Sequence, residues 1–133
     1  MISKEELERK YKKEYLKKGE KLIGLFQAQK IPSIWYYLLF GWLASFGTNL
    51  YHVLITNKGL HIMKINIKAE PKNHEFIKYS ELKDLKLGKG ILSTPIYLIT
   101  KDDEKIKIKA NKGYMGIDKE TKDYLESLEI NSK

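Results

Sequence analysis

The sequence predicts a mainly β fold with flanking helices. Seven short segments carry the apolar patterns of β-strands and are separated by polar turns or loops. The clearest is residues 105–110, where lysine alternates with apolar residues, so that one face is solvated and the other buried. A helical pattern precedes the strands and another follows them. The predicted order is helix, strand, uncharged insert, six strands and helix.

The two helices are predicted over residues 3–18 and 117–128. In the first, Ser3 and Glu6 fit an S-x-x-E capping box, and Gly19 stands where a helix commonly stops. Its apolar residues recur every four positions and form a narrow stripe, which indicates a surface helix: Leu7, Tyr11 and Tyr15. In the second, residues at spacings of three and four share one side: Ile117, Thr121, Tyr124, Leu125 and Leu128.

The strands are predicted over residues 20–29, 51–56, 60–67, 74–79, 85–88, 96–100 and 105–110. Asn57 and Gly59 tolerate positive φ, which favours a short turn between the second and third strands. The alternation slips near Met63, which indicates a bulge. Pro95 is expected to precede its strand, because proline cannot donate a ladder hydrogen bond.

The composition limits the classes of function. The chain has 133 residues and no cysteine, so disulfides, thiolate metal sites and a cysteine nucleophile are excluded. The net charge of +8 favours anionic partners, yet Arg9 is the only arginine, and base reading leans on arginine. The composition therefore argues against nucleic acid as a partner. The first residues do not resemble a secretory signal, so we expect a cytoplasmic location, with membrane association as an alternative.

Three stretches carry a resemblance to a known family. They are residues 51–60, residues 79–82 leading to residues 87–92, and the lysine-striped last strand before the final helix. With them, residues 20–128 resemble a bacterial pleckstrin-homology-like domain. The resemblance implies a partly open seven-stranded antiparallel barrel capped by a C-terminal α-helix. Together with the helical pattern before it, it divides the chain into an N-terminal amphipathic helix, residues 1–19, and the domain, residues 20–133. It also implies a non-catalytic binding or scaffold module that acts through protein contact or self-association.

Residues 31–48 form an apolar insert between the first two strands, interpreted as helical. No residue between Lys30 and Lys58 carries a formal charge, and both tryptophans lie there. Three interpretations stay open: packing between the barrel and the N-terminal helix, an oligomer or protein interface, and membrane contact. The candidate contact residues are Trp35, Tyr36, Leu39, Phe40, Trp42 and Phe46.

Lysines supply the candidate contacts for an anionic surface: Lys64, Lys105, Lys107 and Lys109. Such a row could steer anionic headgroups, although alternate charges on a strand are usually a solvated face. The two interpretations together make a peripheral membrane module the alternative to protein contact.

The remaining polar residues predict no enzyme, no metal site and no cofactor. His52, His61 and His74 lack the spacing of metal ligands and are expected to be ordinary core or surface residues. Asp102, Asp103 and Glu104 fit a hairpin turn rather than a pair of catalytic carboxylates.

Overall fold

The computed structural model describes residues 3–30, 50–65, 71–89, 93–112 and 115–128, which form two α-helices and seven strands. The helices are α1 (Lys4–Tyr15) and α2 (Lys119–Ser127). The strands are β1 (Leu22–Lys30), β2 (Leu50–Thr56), β3 (Gly59–Ile65), β4 (Pro71–Lys78), β5 (Leu82–Leu87), β6 (Ser93–Thr100) and β7 (Lys105–Asn111). A 3₁₀ turn, Tyr79–Glu81, joins β4 to β5.

All seven strands belong to one antiparallel sheet in the order β4-β3-β2-β1-β7-β6-β5. Within the described residues, β4 and β5 each pair with a single strand, so the sheet is open between them. Apolar side chains from both halves of the sheet meet in one core, so the sheet curls around its inner side. This arrangement confirms the predicted mainly β fold and fits a pleckstrin-homology-like, partly open barrel.

The inner core is closed at one end by α2. Leu125 of this helix is buried in the core, as is Ile117 just before it. Thr121 lies so close to β1 that a side chain at Gly24 would collide with it, at 2.0 Å from the Thr121 hydroxyl oxygen. The Asp118 carboxylate caps α2 by accepting hydrogen bonds from the backbone and the hydroxyl of Thr121. The glycine therefore sets how closely the helix approaches the barrel.

Helix α1 covers the outer side of β1–β3. Ser3 accepts a hydrogen bond from the Glu6 backbone, so the predicted N-cap is confirmed. Leu7 and Tyr11 of the predicted stripe pack directly on the sheet, where they contact Leu25, Leu54 and Met63. These five residues form a second apolar cluster, separate from the inner core. α1 ends at Tyr15, three residues before the predicted end.

Four strands begin more than one residue from their predicted start, and one of them is β1, which begins two residues late, at Leu22. β4 begins at Pro71 and β5 at Leu82, each three residues earlier than expected. β6 begins at Ser93, so Pro95 lies inside the ladder opposite Lys109. The Pro95 carbonyl accepts a hydrogen bond from the Gly88 backbone, one residue past the end of β5. In an antiparallel strand the nitrogen and the carbonyl of a residue point to the same side, so the Pro95 nitrogen also faces the position where β5 has ended. Proline is tolerated there because no residue of β5 needs a donor from it.

The turn before β3 also differs from expectation. Asp103 and Met115 are the described non-glycine residues with positive φ, so Asn57 does not use that freedom. Its side chain instead accepts from the Lys21 backbone at 2.7 Å. Gly59 is required by close packing, since a Cβ there would lie 2.2 Å from the Ile77 carbonyl oxygen. The apparent phase slip near Met63 arises because β3 is buried on both faces, and the register shift lies between Lys64 and Ile65.

Candidate functional site

The outer side of β5–β7 carries three of the four predicted lysines. In β7 the even-numbered residues Ile106 and Ile108 are buried in the inner core, whereas Lys105, Lys107 and Lys109 point to the outer side. Residues directly opposite one another in antiparallel strands share a face. The register therefore adds their cross-strand partners to this surface: Lys86, Asp84, Pro95, Tyr97 and Ile99. We call these eight residues the lysine face.

Tyr97 is the centre of the lysine face. It lies between Lys86 and Lys107 in one cross-strand row, and the Lys107 ammonium is 5.4 Å from the centre of its ring. That distance allows a cation–π interaction. Tyr97 is also 40% exposed, whereas the other large apolar residues that the structure describes are buried or half-buried. The lysine face therefore combines an aromatic centre with four ammonium groups and one carboxylate.

Lys64 is not part of the lysine face. It is opposite Tyr51 and Asn73 and shares the inner side of β3 with Ile62, at the mouth of the barrel. There it lines a cavity of about 310 Å³ together with Ile106 and Ile108. The four lysines predicted as one anionic contact are thus divided between two sides of the sheet.

The predicted aromatic contacts lie outside the described residues: Trp35, Tyr36, Leu39, Phe40, Trp42 and Phe46. The points where this segment joins the sheet are described. Gln29 of β1 pairs with Leu50 of β2 on one side and with Lys109 of β7 on the other. The uncharged segment therefore leaves and rejoins the sheet beside the last lysine of the lysine face.

A second polar cluster lies under the end of α1. The Glu20 carboxylate is 2.7 Å from His61 Nε2, and His61 Nδ1 is 2.7 Å from His74 Nε2. The side chains of Glu20 and His61 are each only 3% exposed. Thr56 donates its hydroxyl hydrogen to the same carboxylate at 2.7 Å. These contacts form a continuous hydrogen-bonded chain from the interior to the exposed residue His74.

The linker between α1 and β1 places Glu20 at the start of this chain. Gly19, at φ +86°, reverses the backbone, and its carbonyl accepts a hydrogen bond from the Asn57 side chain. The other Glu20 oxygen accepts from the Lys17 backbone at 3.0 Å. The carboxylate is therefore held from both sides of the linker.

The hydrogen bonds between Glu20, His61 and His74 determine which of their atoms carry a proton. Burial alone would raise the pKa of Glu20, but hydrogen bonds from Thr56, the Lys17 backbone and His61 lower it below the ordinary value. An ionised carboxylate can only accept, so His61 donates through Nε2–H. In neutral His61 the other ring nitrogen is an acceptor, and His74 then donates to it. Burial, followed by the neighbouring His61, lowers the pKa of His74.

His52 makes a separate contact with α1. Its Nδ1 is 2.8 Å from the Tyr11 hydroxyl, and both side chains are buried. Burial lowers the pKa of His52 to about 4 and is also the main reason why the pKa of Tyr11 rises to about 12. The pair is therefore uncharged near neutral pH.

The sequence analysis missed the contact between Glu20 and His61, and it did not place Tyr97 or Lys86 beside the lysine row. One signal was present: His52, His61 and His74 all fall in predicted strands, where an imidazole on a covered face requires a partner. Across the described ranges, no three His, Cys, Asp or Glu side chains are arranged to hold a metal ion. None of the helices that the structure describes is both long and apolar enough to cross a membrane.

Comparison with known proteins shows the fold. No protein-family model matches the chain, and no curated protein matches it significantly. The C-terminal domain of an unknown protein from Leishmania infantum is similar in structure, with a TM-score of 0.56 and 17% identity over 98% of this chain and 100% of that one. The hSac2 domain from the human phosphoinositide phosphatase Sac2 has a TM-score of 0.54 and 13% identity over 96% of this chain and 80% of that one. At such identities the likeness extends to the fold alone.

Proposed function

We propose that this chain is a non-catalytic binding module that attaches to anionic membrane surfaces through the lysine face. One observation carries the proposal: Lys109 lies next to Gln29, where the uncharged aromatic segment leaves the sheet. Clustered lysines attract anionic lipids, and tryptophan and tyrosine favour the water–membrane interface. The two kinds of contact predicted from the sequence therefore begin at the same end of the sheet.

The chemistry of the lysine face favours a lipid surface over a specific polar partner. Lysine acts as a mobile point charge, whereas arginine provides the planar fork that recognises one phosphate or carboxylate in a fixed orientation. The exposed ring of Tyr97 between Lys86 and Lys107 adds an amphipathic group to the charges. Such a surface suits a fluid array of anionic headgroups.

A non-catalytic role is supported by the burial of a polar pair that resembles catalytic machinery. The Tyr11 hydroxyl and His52 form a hydrogen-bonded hydroxyl–imidazole pair, but they are 0% and 2% exposed. A substrate cannot reach this pair while α1 is in place. The pKa of Tyr11, raised to about 12, also makes its hydroxyl a poor nucleophile at neutral pH.

Vesicle co-sedimentation tests the proposal. The protein is mixed with vesicles of phosphatidylcholine alone or with added phosphatidylserine, at low and at high salt. We expect retention on the anionic vesicles at low salt only. Each lysine near an anionic surface contributes about 1 kcal/mol, so K105Q/K107Q/K109Q should weaken partitioning about 100-fold.

The matched control removes the same charge elsewhere. K12Q/K13Q/K17Q changes three exposed lysines of α1 and its linker and should retain most of the binding. Lys64→Gln should also have little effect, because Lys64 lies on the inner side, where it lines the cavity. Equal losses in both triple variants, or equal binding to neutral vesicles, would reject the lysine face as the contact.

A second proposal is self-association or protein contact through the aromatic segment, and it rests on the apolar sequence around Trp35 and Trp42. Light scattering without lipid should then give a mass above 15.6 kDa that falls in Trp42→Asp. A monomeric native protein would count against assembly. A blue shift of tryptophan fluorescence on anionic vesicles would instead support lipid contact.

A further inference from the structure

Helix α1 and the linker after it pack against three histidines, His52, His61 and His74, which we call the histidine cluster. Tyr11 is hydrogen-bonded to His52, and the ring of Tyr15 packs on the ring of His74, with 4.6 Å between ring centres. His61 connects His74 to Glu20 in the linker that follows the helix. Both aromatic residues that anchor the second half of α1 therefore contact an imidazole.

The hydrogen bond between His61 and His74 survives the addition of one proton but not of two. When both rings are neutral, His74 donates to His61, and one additional proton can reside on the free nitrogen of His74. A second additional proton places an N–H on both facing nitrogens, which are only 2.7 Å apart. The hydrogen bond is then lost, and two positive rings repel each other directly below Tyr15.

His52 cannot accept even one added proton at low cost, because it is buried and is not hydrogen-bonded to a carboxylate. Tyr11 faces it from α1, Gln27 from β1 and Met63 from β3. Glu14 of α1 acts electrostatically on Tyr11 and Tyr15, whereas burial is the cause that acts on His52. A proton on His52 would therefore be an uncompensated buried charge.

Release of α1 need not unfold the barrel. The cluster beneath α1 is separate from the inner core, which contains apolar residues from every strand and from the end closed by α2. Elements held by a small independent cluster open at lower cost than the rest of a fold. The helix and the barrel can thus respond differently to the same change of conditions.

We propose that α1 is an acid-released strap: protonation of the histidine cluster detaches it from the outer side of β1–β3 while the barrel remains folded. The groups facing His74 are His61 from β3, Glu20 from the linker and Tyr15 from α1. In the described part of the chain, Glu20 is the one carboxylate hydrogen-bonded to any of the three imidazoles, and its partner is His61. Its charge balances one added proton, and the further protons drive release.

Because the chain contains no cysteine, a spin-label pair can be introduced cleanly to measure release. Lys13→Cys labels the exposed side of α1, and Lys105→Cys labels the barrel. Double electron–electron resonance should show one narrow distance at pH 7.5 and a broad, longer distribution at pH 4.5, with at least a tenfold rise in the released fraction. The control pair, D123C/K105C, reports on α2 and should not change.

The triple variant Y11F/H52F/H74F carries the decisive comparison. It keeps rings at all three positions and leaves His61 as the one imidazole, paired with Glu20, so α1 should stay attached at pH 4.5. If this variant is already detached at pH 7.5, Y11F/H52F replaces it, and its midpoint of release should fall by at least half a pH unit. An unchanged midpoint, or simultaneous broadening of the control pair in the parent, would overturn the proposal.

Discussion

On the outer side of β1–β3, α1 buries Leu54 and Met63 and encloses two hydrogen-bonded histidines. On the outer side of β5–β7, the lysine face leaves Tyr97 and Lys105 exposed. Both surfaces belong to one sheet and share the alternation of a β-strand, but only one is covered by a described helix. The covered face should determine stability and the open face should determine binding. Four perturbations test this division, from the largest expected effect to the smallest.

The first perturbation removes one partner of a buried hydrogen bond. His61→Ala leaves the buried Glu20 carboxylate without its imidazole donor, and losing a hydrogen-bond partner of a buried charged group costs about 3 kcal/mol or more of unfolding free energy. Urea denaturation at pH 7 measures the loss. Lys83→Ala breaks the exposed pair with Asp103 near the open face and is the matched control, with no measurable change expected. Equal losses in the two variants would contradict the division.

The second perturbation compares truncations on the two faces. Leu54→Ala removes a fully buried side chain under α1 and should cost about 3 kcal/mol. Tyr97→Ala removes a larger side chain from the open face and should cost less than about 1 kcal/mol, because much of its ring is already in water. Chemical denaturation measures both. A Tyr97 variant that loses more stability would mean that the lysine face is covered in solution.

The third perturbation is acid. His52 has a pKa of about 4 in the folded chain against about 6.5 when unfolded, so the folded state binds fewer protons between these values. Its contribution to stability is complete above pH 6.5 and falls as the pH approaches 4, with a loss of about 2–3 kcal/mol at pH 4.5. NMR titration of the three imidazoles measures the pKa directly. An ordinary pKa for His52 would show that water reaches the ring under α1.

The fourth perturbation should barely affect stability. Each substitution in K105Q/K107Q/K109Q replaces a lysine of the open face and should change the unfolding free energy by no more than about 0.5 kcal/mol. Thermal unfolding provides the measurement, beside the binding loss expected for the same protein. A cooperative loss of stability would assign these lysines a structural role and would weaken the interpretation of the vesicle experiment.

The parts of the fold that depend on local pattern were predictable. The alternation of residues 105–110 identified β7 and correctly assigned Ile106 and Ile108 to the core. Ser3 marked the beginning of α1 in the same way, because a cap depends on a few neighbouring residues.

The contacts that define the two faces were less predictable, because they join distant positions. Glu20 and His61 are 41 residues apart, and only the register of β1, β2 and β3 brings them together. Lys64 was grouped with the β7 lysines because its strand is buried on both faces, which hides the side to which each residue points. Pro95 was excluded from the ladder by a rule for central strands that does not apply where a neighbouring strand ends.

The pairing of Gln29 with Leu50 has a consequence for protein engineering. The ladder between β1 and β2 is already closed at that pair, and the entropic cost of a connecting loop changes only slowly with its length. Residues 31–49 can therefore be exchanged for Asn-Gly, which together with Lys30 makes a three-residue hairpin loop ending in glycine and leaves the strand register unchanged. The shortened protein would keep the sheet and the lysine face, and a foreign peptide could be inserted in the new loop beside Lys109.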